Sequence, residues 1–306
     1  MHDLIVVGGG AAALSAAVYA LGKQLDVLVI YDDLGGKAGT RQQFRGQSVP
    51  EYLPGAEASA ALERHIAEQP QATLNDRVIG VEKVDGVFRV TTAQNGVQES
   101  LALLVATGAA PATLDVPGAR EMLNQGLGYS PTTHSHMVAG KHVAVVGTTV
   151  RALRGAAELA RSASQVYLIA TEPGGLDTPL AQSLGQRANV EVIEGYHVKQ
   201  VNGPFNVESL VIERGDQHRW LRVDAAFIDL GLKPNSECVR KLVQTDAEGF
   251  IWVDERNATT LPGLFAAGDV TTAFGEQVLI AIGDGARAAL SAYDYILTQV
   301  TAAAKG

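Results

Sequence analysis

The chain has 306 residues, of which 46% are hydrophobic and 19% are charged. This length predicts two domains with substantial apolar cores, and the formal net charge of −9 disfavours nucleic acid and anionic membranes as partners. A single cysteine, Cys238, excludes an intramolecular disulfide and a four-thiolate metal site, and it is typical of a protein in a reducing cytoplasm.

The first predicted elements lie within residues 4–33. Residues 4–22 carry no charge, but three consecutive glycines interrupt this run and no basic segment precedes it. We therefore predict a buried strand followed by a helix, rather than a membrane span or a secretory signal. A second apolar strand follows the helix, and we expect the protein to be soluble.

The glycine turn between this strand and helix fits the pattern G-x-G-x-x-A at Gly8, Gly10 and Ala13. Gly8 allows the tight turn, Gly10 lets the backbone approach a pyrophosphate, and Ala13 lets the helix pack closely on the strand. Asp32 follows the second strand at the usual spacing for a ribose contact, and Tyr31 is the alternative residue for that position. Since strand, turn, helix and strand are all present, we predict a dinucleotide site.

The middle of the chain repeats this pattern. A strand within residues 103–111 ends in Ala-Thr-Gly, and residues 141–175 then read as another strand, turn, helix and strand. Gly147 and Ala152 match the second glycine pattern, but Thr149 occupies the position where backbone would meet a pyrophosphate. A β-branched side chain there should crowd the phosphates, at a cost of about 1–3 kcal/mol.

A last predicted strand, within residues 261–271, ends in Gly-Asp and precedes a long alanine-rich helix. Together with Gly-Gly at 35–36, Leu-Pro-Gly at 53–55 and the Ala-Thr-Gly strand, this order of motifs resembles low-molecular-weight thioredoxin reductases over essentially the whole chain. The resemblance implies an α/β fold with two Rossmann-like dinucleotide-binding domains, the second inserted into the first.

The domain boundaries that follow place an FAD-binding domain at 1–112 and 246–306. A degenerate NAD(P)H-binding-like domain is then inserted at 113–245. The resemblance implies FAD as the cofactor, with the carboxylate of Asp269 on its ribityl hydroxyls, while capping of a helix is the alternative role for this residue. Two departures lie close to the expected flavin ring: Lys37 replaces the usual glutamine, and Tyr52-Leu53 replaces Asn-Trp. The predicted FAD-binding residues are Gly8, Gly10, Ala11, Ala13, Asp32, Gly36, Lys37, Thr107, Gly108, Gly268, Asp269 and Gln277.

The family's Cys-x-x-Cys-Asp motif falls on residues 130–134, which read Ser-Pro-Thr-Thr-His. Serine and threonine cannot form a disulfide, so we predict that the chain does not exchange dithiols. His134 replaces the family's acid and is a candidate proton donor near the flavin, with Tyr52 as a second catalytic candidate; a polar linker is the alternative interpretation. His134 and His136 are too few ligands for a metal, and none is predicted.

The inserted domain also lacks the basic cluster that pairs with the 2′-phosphate of NADPH, and Ala170-Thr171-Glu172 stands there instead. Three interpretations remain open. In the first, the site is vestigial. In the second, it binds NADH weakly through Glu172 and Arg151. In the third, it holds a different ligand at the polar side chains of Thr148, Thr149 and Arg151. The residues of this degenerate second nucleotide site are Gly147, Thr148, Thr149, Arg151 and Glu172.

These observations predict an FAD-dependent oxidoreductase that transfers electrons between its flavin and an unidentified redox protein or small molecule. We predict that this protein does not exchange dithiols and does not use NADPH in the ordinary way. The alternatives are a non-catalytic flavin-based sensor or regulatory protein, and an NADH-dependent flavin reductase with a non-disulfide acceptor. The resemblance also implies a homodimer. We expect a cytoplasmic protein without nucleic acid or membrane partners.

Overall fold

The computed structural model describes residues 1–46, 51–171 and 175–303, which divide into two compact units. The first unit comprises Met1–Thr40, Pro54–Ala110 and Lys233–Gly306, and the second comprises Arg41–Leu53 and Pro111–Leu232.

The helices are α1 Ala11–Gly22, α2 Ala56–Ala67, α3 Ala119–Met122, α4 Pro131–His134, α5 Val150–Leu159, α6 Pro179–Gly185 and α7 Val278–Ala303. The strands are β1 His2–Val7, β2 Val27–Tyr31, β3 Thr73–Asn75, β4 Val78–Val84, β5 Val87–Thr92, β6 Val97–Val105, β7 Ala109–Pro111, β8 Leu127–Gly128, β9 His142–Val146, β10 Gln165–Ala170, β11 Val190–Glu194, β12 His197–Asn202, β13 Ser209–Arg214, β14 Gln217–Arg222, β15 Ala225–Ile228, β16 Leu232–Pro234 and β17 Leu264–Ala266. Short 3₁₀ turns lie at Gly36–Gly39, Pro70–Ala72, Ser135–Val138 and Gly268–Val270.

The first unit is built on a sheet with the strand order β3-β2-β1-β6-β5-β4, and β17 also pairs with β6. The strands from β3 to β6 and β17 run parallel, whereas β5 and β4 continue the sheet in antiparallel fashion. The apolar runs of β1 and β6 are fully buried from Leu4 to Val6 and from Ala102 to Val105. Helices α1 and α7 cover one face of the sheet, and Val239, Val243 and Ile251 pack on the other, so the central strands are buried on both sides.

The second unit repeats the arrangement with a parallel sheet in the order β11-β10-β9-β15-β8. Helices α5 and α6 pack on it through Leu153 and Leu184, which share one buried cluster with Val145 and Phe227. A separate antiparallel sheet contains β12, β13 and β14. Each unit therefore contains the strand–turn–helix–strand succession that the sequence predicts.

The position of the second unit differs from the predicted insert at 113–245. Residues 233–245 belong to the first unit, where Val239 and Val243 lie in one apolar cluster with Ile5 and Val105. The segment 41–53 belongs to the second unit. Both differences arise from packing between residues far apart in sequence, which motif order does not report.

Helix α1 is the apolar segment that could be mistaken for a membrane span. It starts after the glycine turn and packs against α7 through small residues, among them Ala16 and Ala288. Within the described ranges, none of the helices combines the length and apolar character needed to cross a bilayer.

The contact between α1 and α7 depends on Gly285. A Cβ atom added at this position would lie 2.0 Å from the carbonyl oxygen of Ala12, a distance that real Cβ atoms do not adopt. The neighbouring Gly283 on the same helix faces open space within 4 Å. The packing therefore requires glycine at position 285, whereas position 283 has room for a side chain.

We expect Gly285→Ala to destabilise the first unit by about 1–3 kcal/mol, because the helices must move apart. The matched control Gly283→Ala should stabilise it by about 0.5–1 kcal/mol, because alanine favours the helix over glycine. Urea unfolding followed by circular dichroism measures both free energies of unfolding. Equal effects of the two substitutions would contradict the packing described for α1 and α7.

Candidate functional site

The first glycine turn of the first unit leaves the start of α1 open. Gly8 has a positive φ of 127°, and a Cβ atom there would lie 2.3 Å from the carbonyl oxygen of Ala106. Gly10 caps α1 without any side-chain hydrogen bond, and a Cβ atom at Gly10 would meet nothing within 4 Å. The start of α1 therefore carries no side-chain cap and has room beside Gly10, as expected of an anion site at a helix N-terminus.

Two further glycine segments reach the same turn of α1. A Cβ atom at Gly36 would lie 2.9 Å from the Cα of Gly10, and one at Gly268 would lie 3.0 Å from the Cβ of Ala12. Backbone from three separate parts of the first unit thus surrounds the helix start without side chains. This cradle fits a phosphate-bearing ligand such as the pyrophosphate of FAD, because glycines let the backbone segments approach the helix start closely and the helix N-terminus attracts anions.

A cluster of charged side chains lies beside the cradle. Asp269 belongs to the 3₁₀ turn Gly268–Val270 and has 14% of its side chain exposed, and its carboxylate forms an ion pair with Lys37. Asp284 on α7 is buried and accepts a 3.1 Å hydrogen bond from Arg287. Burial raises the pKa of the Asp284 carboxyl; Arg287 opposes this rise and the Asp269 carboxylate adds to it.

Two further predicted FAD residues, Thr107 and Asp32, follow the ends of β6 and β2. Thr107 lies next to Gly8. Its hydroxyl donates to the carbonyl oxygen of Asn235 at 2.6 Å, and its carbonyl oxygen accepts from the side-chain amide of Asn235 at 2.9 Å. Asp32 follows β2 and has 70% of its side chain exposed, and its Oδ2 lies 3.5 Å from Arg77 Nε.

The structure places the others as follows. Ala11 and Ala13 are buried in the first turn of α1, Gly108 has a positive φ of 69°, Tyr31 ends β2, and Gln277 is exposed just before α7.

In the second unit, side chains occupy the corresponding glycine turn. Gly147 again has a positive φ, of 122°, but Thr149 caps α5 by accepting a 3.0 Å hydrogen bond from the backbone N–H of Ala152. The Thr149 hydroxyl also donates to Asp229 Oδ1 at 3.1 Å. A side chain therefore already satisfies one of the N–H groups that a bound phosphate would require.

Arg151 is fixed in the same network. Its Nε and Nη2 atoms lie 2.8 and 3.0 Å from the two carboxylate oxygens of Asp229, whose side chain is fully buried. A buried carboxylate requires such a partner, so Arg151 is not free to bind a pyrophosphate. The Thr148 side chain packs against Gly175, where an added Cβ atom would lie 2.2 Å from the Thr148 hydroxyl oxygen. Glu172 lies outside the described residues.

Sequence reasoning did not identify Asp229. A signal was present, because Asp229 follows the apolar strand β15, and β15 pairs with β9 in parallel. Polar residues at the carboxyl ends of neighbouring parallel strands meet at one edge of the sheet.

Residues 131–136 form helical turns, α4 followed by the 3₁₀ turn Ser135–Val138. The hydroxyl oxygens of Ser130 and Thr133 lie 2.7 Å apart at the start of α4. His134 is buried, with Nδ1 3.1 Å from the Ser130 carbonyl oxygen and Nε2 3.0 Å from Glu51 Oε1. His136 accepts a 3.3 Å hydrogen bond from the backbone N–H of Tyr52, whose side chain is 69% exposed.

Glu51 organises this polar cluster in the second unit, and sequence reasoning missed it. Its Oε1 also accepts a hydrogen bond from the Gln42 backbone N–H at 3.1 Å, and Arg41 Nε lies 3.7 Å from its Oε2. Phe44 and Phe227 flank the His134 ring at centroid distances of 5.9 and 6.4 Å. The described residues contain no group of three or more acidic, histidine or cysteine side chains arranged to hold a metal ion.

Comparison with known proteins places this geometry in context. The family model for pyridine nucleotide-disulphide oxidoreductases matches residues 2–294. The chain is 32% identical to the F subunit of alkyl hydroperoxide reductase from Staphylococcus aureus strain Mu50 over 302 residues, and equally identical to that of Staphylococcus epidermidis strain RP62A over 301 residues. These alignments cover 97% of the chain but only 59% of each relative, so the chain spans about three-fifths of their length.

Solved structures show the same fold. The thioredoxin reductase from Streptococcus pyogenes superposes with a TM-score of 0.84 at 25% identity, and the enzyme from Giardia duodenalis with a TM-score of 0.83 at 24% identity. Each superposition covers 97% of this chain and 99% of the other. The predicted α/β fold with two Rossmann-like dinucleotide-binding domains is confirmed.

The single thiol of the chain has the properties of a structural residue. Burial raises the pKa of Cys238 to about 11, so at neutral pH the group is protonated and not nucleophilic. At pH 8 we expect alkylation of Cys238 by iodoacetamide to be about a hundredfold slower in the folded protein than in urea, where the thiol has its ordinary pKa.

The alkylation rate of the folded protein should then keep rising by about tenfold per pH unit up to pH 10. Mass spectrometry of the modified cysteine measures this rate. A rate that levels off below pH 9 would contradict the burial of Cys238.

Proposed function

This chain belongs to the pyridine nucleotide-disulphide oxidoreductase family, and on that basis we propose that it is an FAD-dependent oxidoreductase that neither exchanges dithiols nor uses NADPH in the ordinary way. Thioredoxin reductase-like members of this family are FAD-binding flavoproteins, so FAD is the cofactor of this fold. Its flavin ring accepts and releases electrons, which would pass to or from a redox protein or a small molecule.

The observation that carries the proposal is the contrast between the two glycine turns. The start of α1 has no side-chain cap and is surrounded by glycine backbone, whereas the start of α5 is occupied by Thr149, Arg151 and Asp229. The same fold thus offers one open phosphate site and one site whose donors are already used. This contrast supports retention of FAD and loss of ordinary nicotinamide binding.

Each predicted FAD residue has a defined task in this proposal. The N–H groups at the start of α1 would bind the pyrophosphate, with Gly8, Gly10 and Gly36 allowing close approach. Asp269 would accept hydrogen bonds from ribityl hydroxyls, and its position beside Gly268 supports this role. Asp32 is exposed and remains a candidate for the adenosine ribose.

The vestigial interpretation of the second site is the one that the structure favours. Weak NADH binding would require Arg151 to leave Asp229, and the fully buried carboxylate would then lose its charge partner. A different ligand would face the same obstacle, because it would enter at the same helix start.

The absence of dithiol exchange rests on the residues at the expected redox position. Ser130 and Thr133 replace the two cysteines, and Cys238 is a protonated thiol in the other unit. None of these groups can form a disulfide within the chain. The relatives' activity in alkyl hydroperoxide reduction or thioredoxin reduction therefore does not transfer to this chain through its own thiols.

His134 and Glu51 are the better candidates for a role in proton transfer. His134 Nε2 lies 3.0 Å from Glu51 Oε1 while Nδ1 faces the Ser130 carbonyl oxygen, so the two side chains form a hydrogen-bonded pair able to hold a proton between them. Tyr52 remains a weaker candidate, because its side chain is exposed and its recorded hydrogen bond uses the backbone N–H.

The proposed partner includes a second copy of the chain. Leu279, Leu290 and Leu297 are exposed on α7, and their spacing of eleven and seven residues places them on one face of the helix. Such a stripe supports the homodimer that the resemblance implies.

A cytoplasmic location also stays a prediction.

Gly10→Val tests the FAD cradle directly. The added side chain meets no protein atom within 4 Å of its Cβ, so we expect a folded protein whose FAD content falls about tenfold or more, since the ligand's space is filled. Gly80→Val is the matched control, because Gly80 in β4 also has open space around it. Visible flavin absorbance per protein measures the result, and full retention of FAD in Gly10→Val would place the cofactor elsewhere.

The proposed electron route is tested by following the flavin band of the purified protein without oxygen. We expect dithionite to bleach the band, whereas NADPH and NADH bleach it at least about a hundredfold more slowly than in a thioredoxin reductase measured alongside, because the second glycine turn is filled. Rapid bleaching by either nucleotide would overturn the vestigial interpretation. Absence of bound FAD after reconstitution would overturn the whole proposal.

A further inference from the structure

The ion pair between Lys37 and Asp269 lies at the open start of α1. Lys37 follows Gly36, whose Cβ would lie 2.9 Å from the Cα of Gly10. Asp269 follows Gly268, whose Cβ would lie 3.0 Å from Ala12. Both members of the pair are therefore attached to backbone that forms the cradle.

The pair differs from an ordinary surface salt bridge in the exposure of its acid. The Asp269 side chain is 14% exposed, whereas the Lys37 side chain is 55% exposed. A mostly buried carboxylate has little water to screen its charge, so its influence on a neighbouring ligand is large unless a cation offsets it. Lys37 supplies that cation, and its exposed stem lets it reach the carboxylate from outside.

A second acid strengthens this requirement. Burial raises the pKa of Asp284 on α7, and repulsion by the Asp269 carboxylate adds to this rise. Arg287 pairs with Asp284 at 3.1 Å and is therefore engaged there. Whichever protonation state Asp284 adopts, removal of the Lys37 charge makes the rim of the cradle more negative by one unit.

Reduction adds negative charge to a flavin, so a negative rim opposes it and a neutral rim favours it. Resting on the proposed function, we propose that Lys37 raises the reduction potential of the flavin bound in this cradle by neutralising Asp269. The protein then accepts electrons from weaker reductants than a site with an unpaired carboxylate would. This property suits a chain whose second glycine turn is filled, because the donor it favours is a redox protein or small molecule less reducing than a reduced nicotinamide.

The test is a measurement of the reduction potential of FAD bound to the wild-type protein and to Lys37 variants. Each protein is equilibrated without oxygen with a reference dye while the flavin band is followed. We expect Lys37→Gln to lower the two-electron equilibrium constant about tenfold, which corresponds to about 30 mV. Lys37→Arg keeps the charge and should leave the potential unchanged.

Lys241→Gln is the matched control, because it removes the same charge from an exposed position in the first unit. Its potential should equal that of the wild type. An equal potential in Lys37→Gln and Lys241→Gln would overturn the proposal.

The double variant Lys37→Gln with Asp269→Asn tests the route through Asp269. Removing both charges should return the potential to that of the wild type, and a potential as low as in Lys37→Gln alone would overturn this route. If Lys37→Gln loses FAD that Lys37→Arg retains, Lys37 anchors the cofactor and does not set its potential, which also overturns the proposal. Failure of the wild-type protein to bind FAD contradicts the proposed function instead.

Discussion

Close approach of backbone to the first turn of α1 is the constraint on which the first unit depends. Gly8 brings β1 against Ala106, Gly36 brings a loop against Gly10, and Gly268 brings the end of β17 against α1. Side chains at these positions would separate the segments. The helix start has no side-chain cap, so the same close packing that builds the fold also supports the proposed phosphate site.

The second unit repeats the strand, turn and helix of the first unit, but the start of its helix α5 carries a side-chain cap. Gly147 keeps the turn, because a Cβ there would lie 2.1 Å from the carbonyl oxygen of Asp229. Thr149 and Arg151 then use the helix start and the carboxylate of Asp229 for internal hydrogen bonds. Folding requires only that the turn be tight, whereas binding requires that its donors remain unused. In the second unit the turn is tight, and the backbone N–H of Ala152 already donates to Thr149.

Local pattern was sufficient to predict β1, α1 and β2 and their repetition as β9, α5 and β10, since apolar runs and glycine turns are properties of short segments. The polar partners within the second unit were not predictable in this way. His134 meets Glu51 across 83 residues and Arg151 meets Asp229 across 78 residues. No periodic or spacing rule connects positions so far apart, although the strand-end position of Asp229 was a usable signal.

The sequence by itself determined the fold class and the two glycine turns, and it predicted FAD binding at the first turn and the loss of both redox cysteines, because these inferences depend on residue type and on neighbours within a few positions. Only the tertiary structure decided how the charges pair. It directs Lys37 to Asp269, commits Arg151 to a buried carboxylate, and adds segment 41–53 to the second unit. Charges act through space and buried acids need partners, so their assignment follows from which segments pack together.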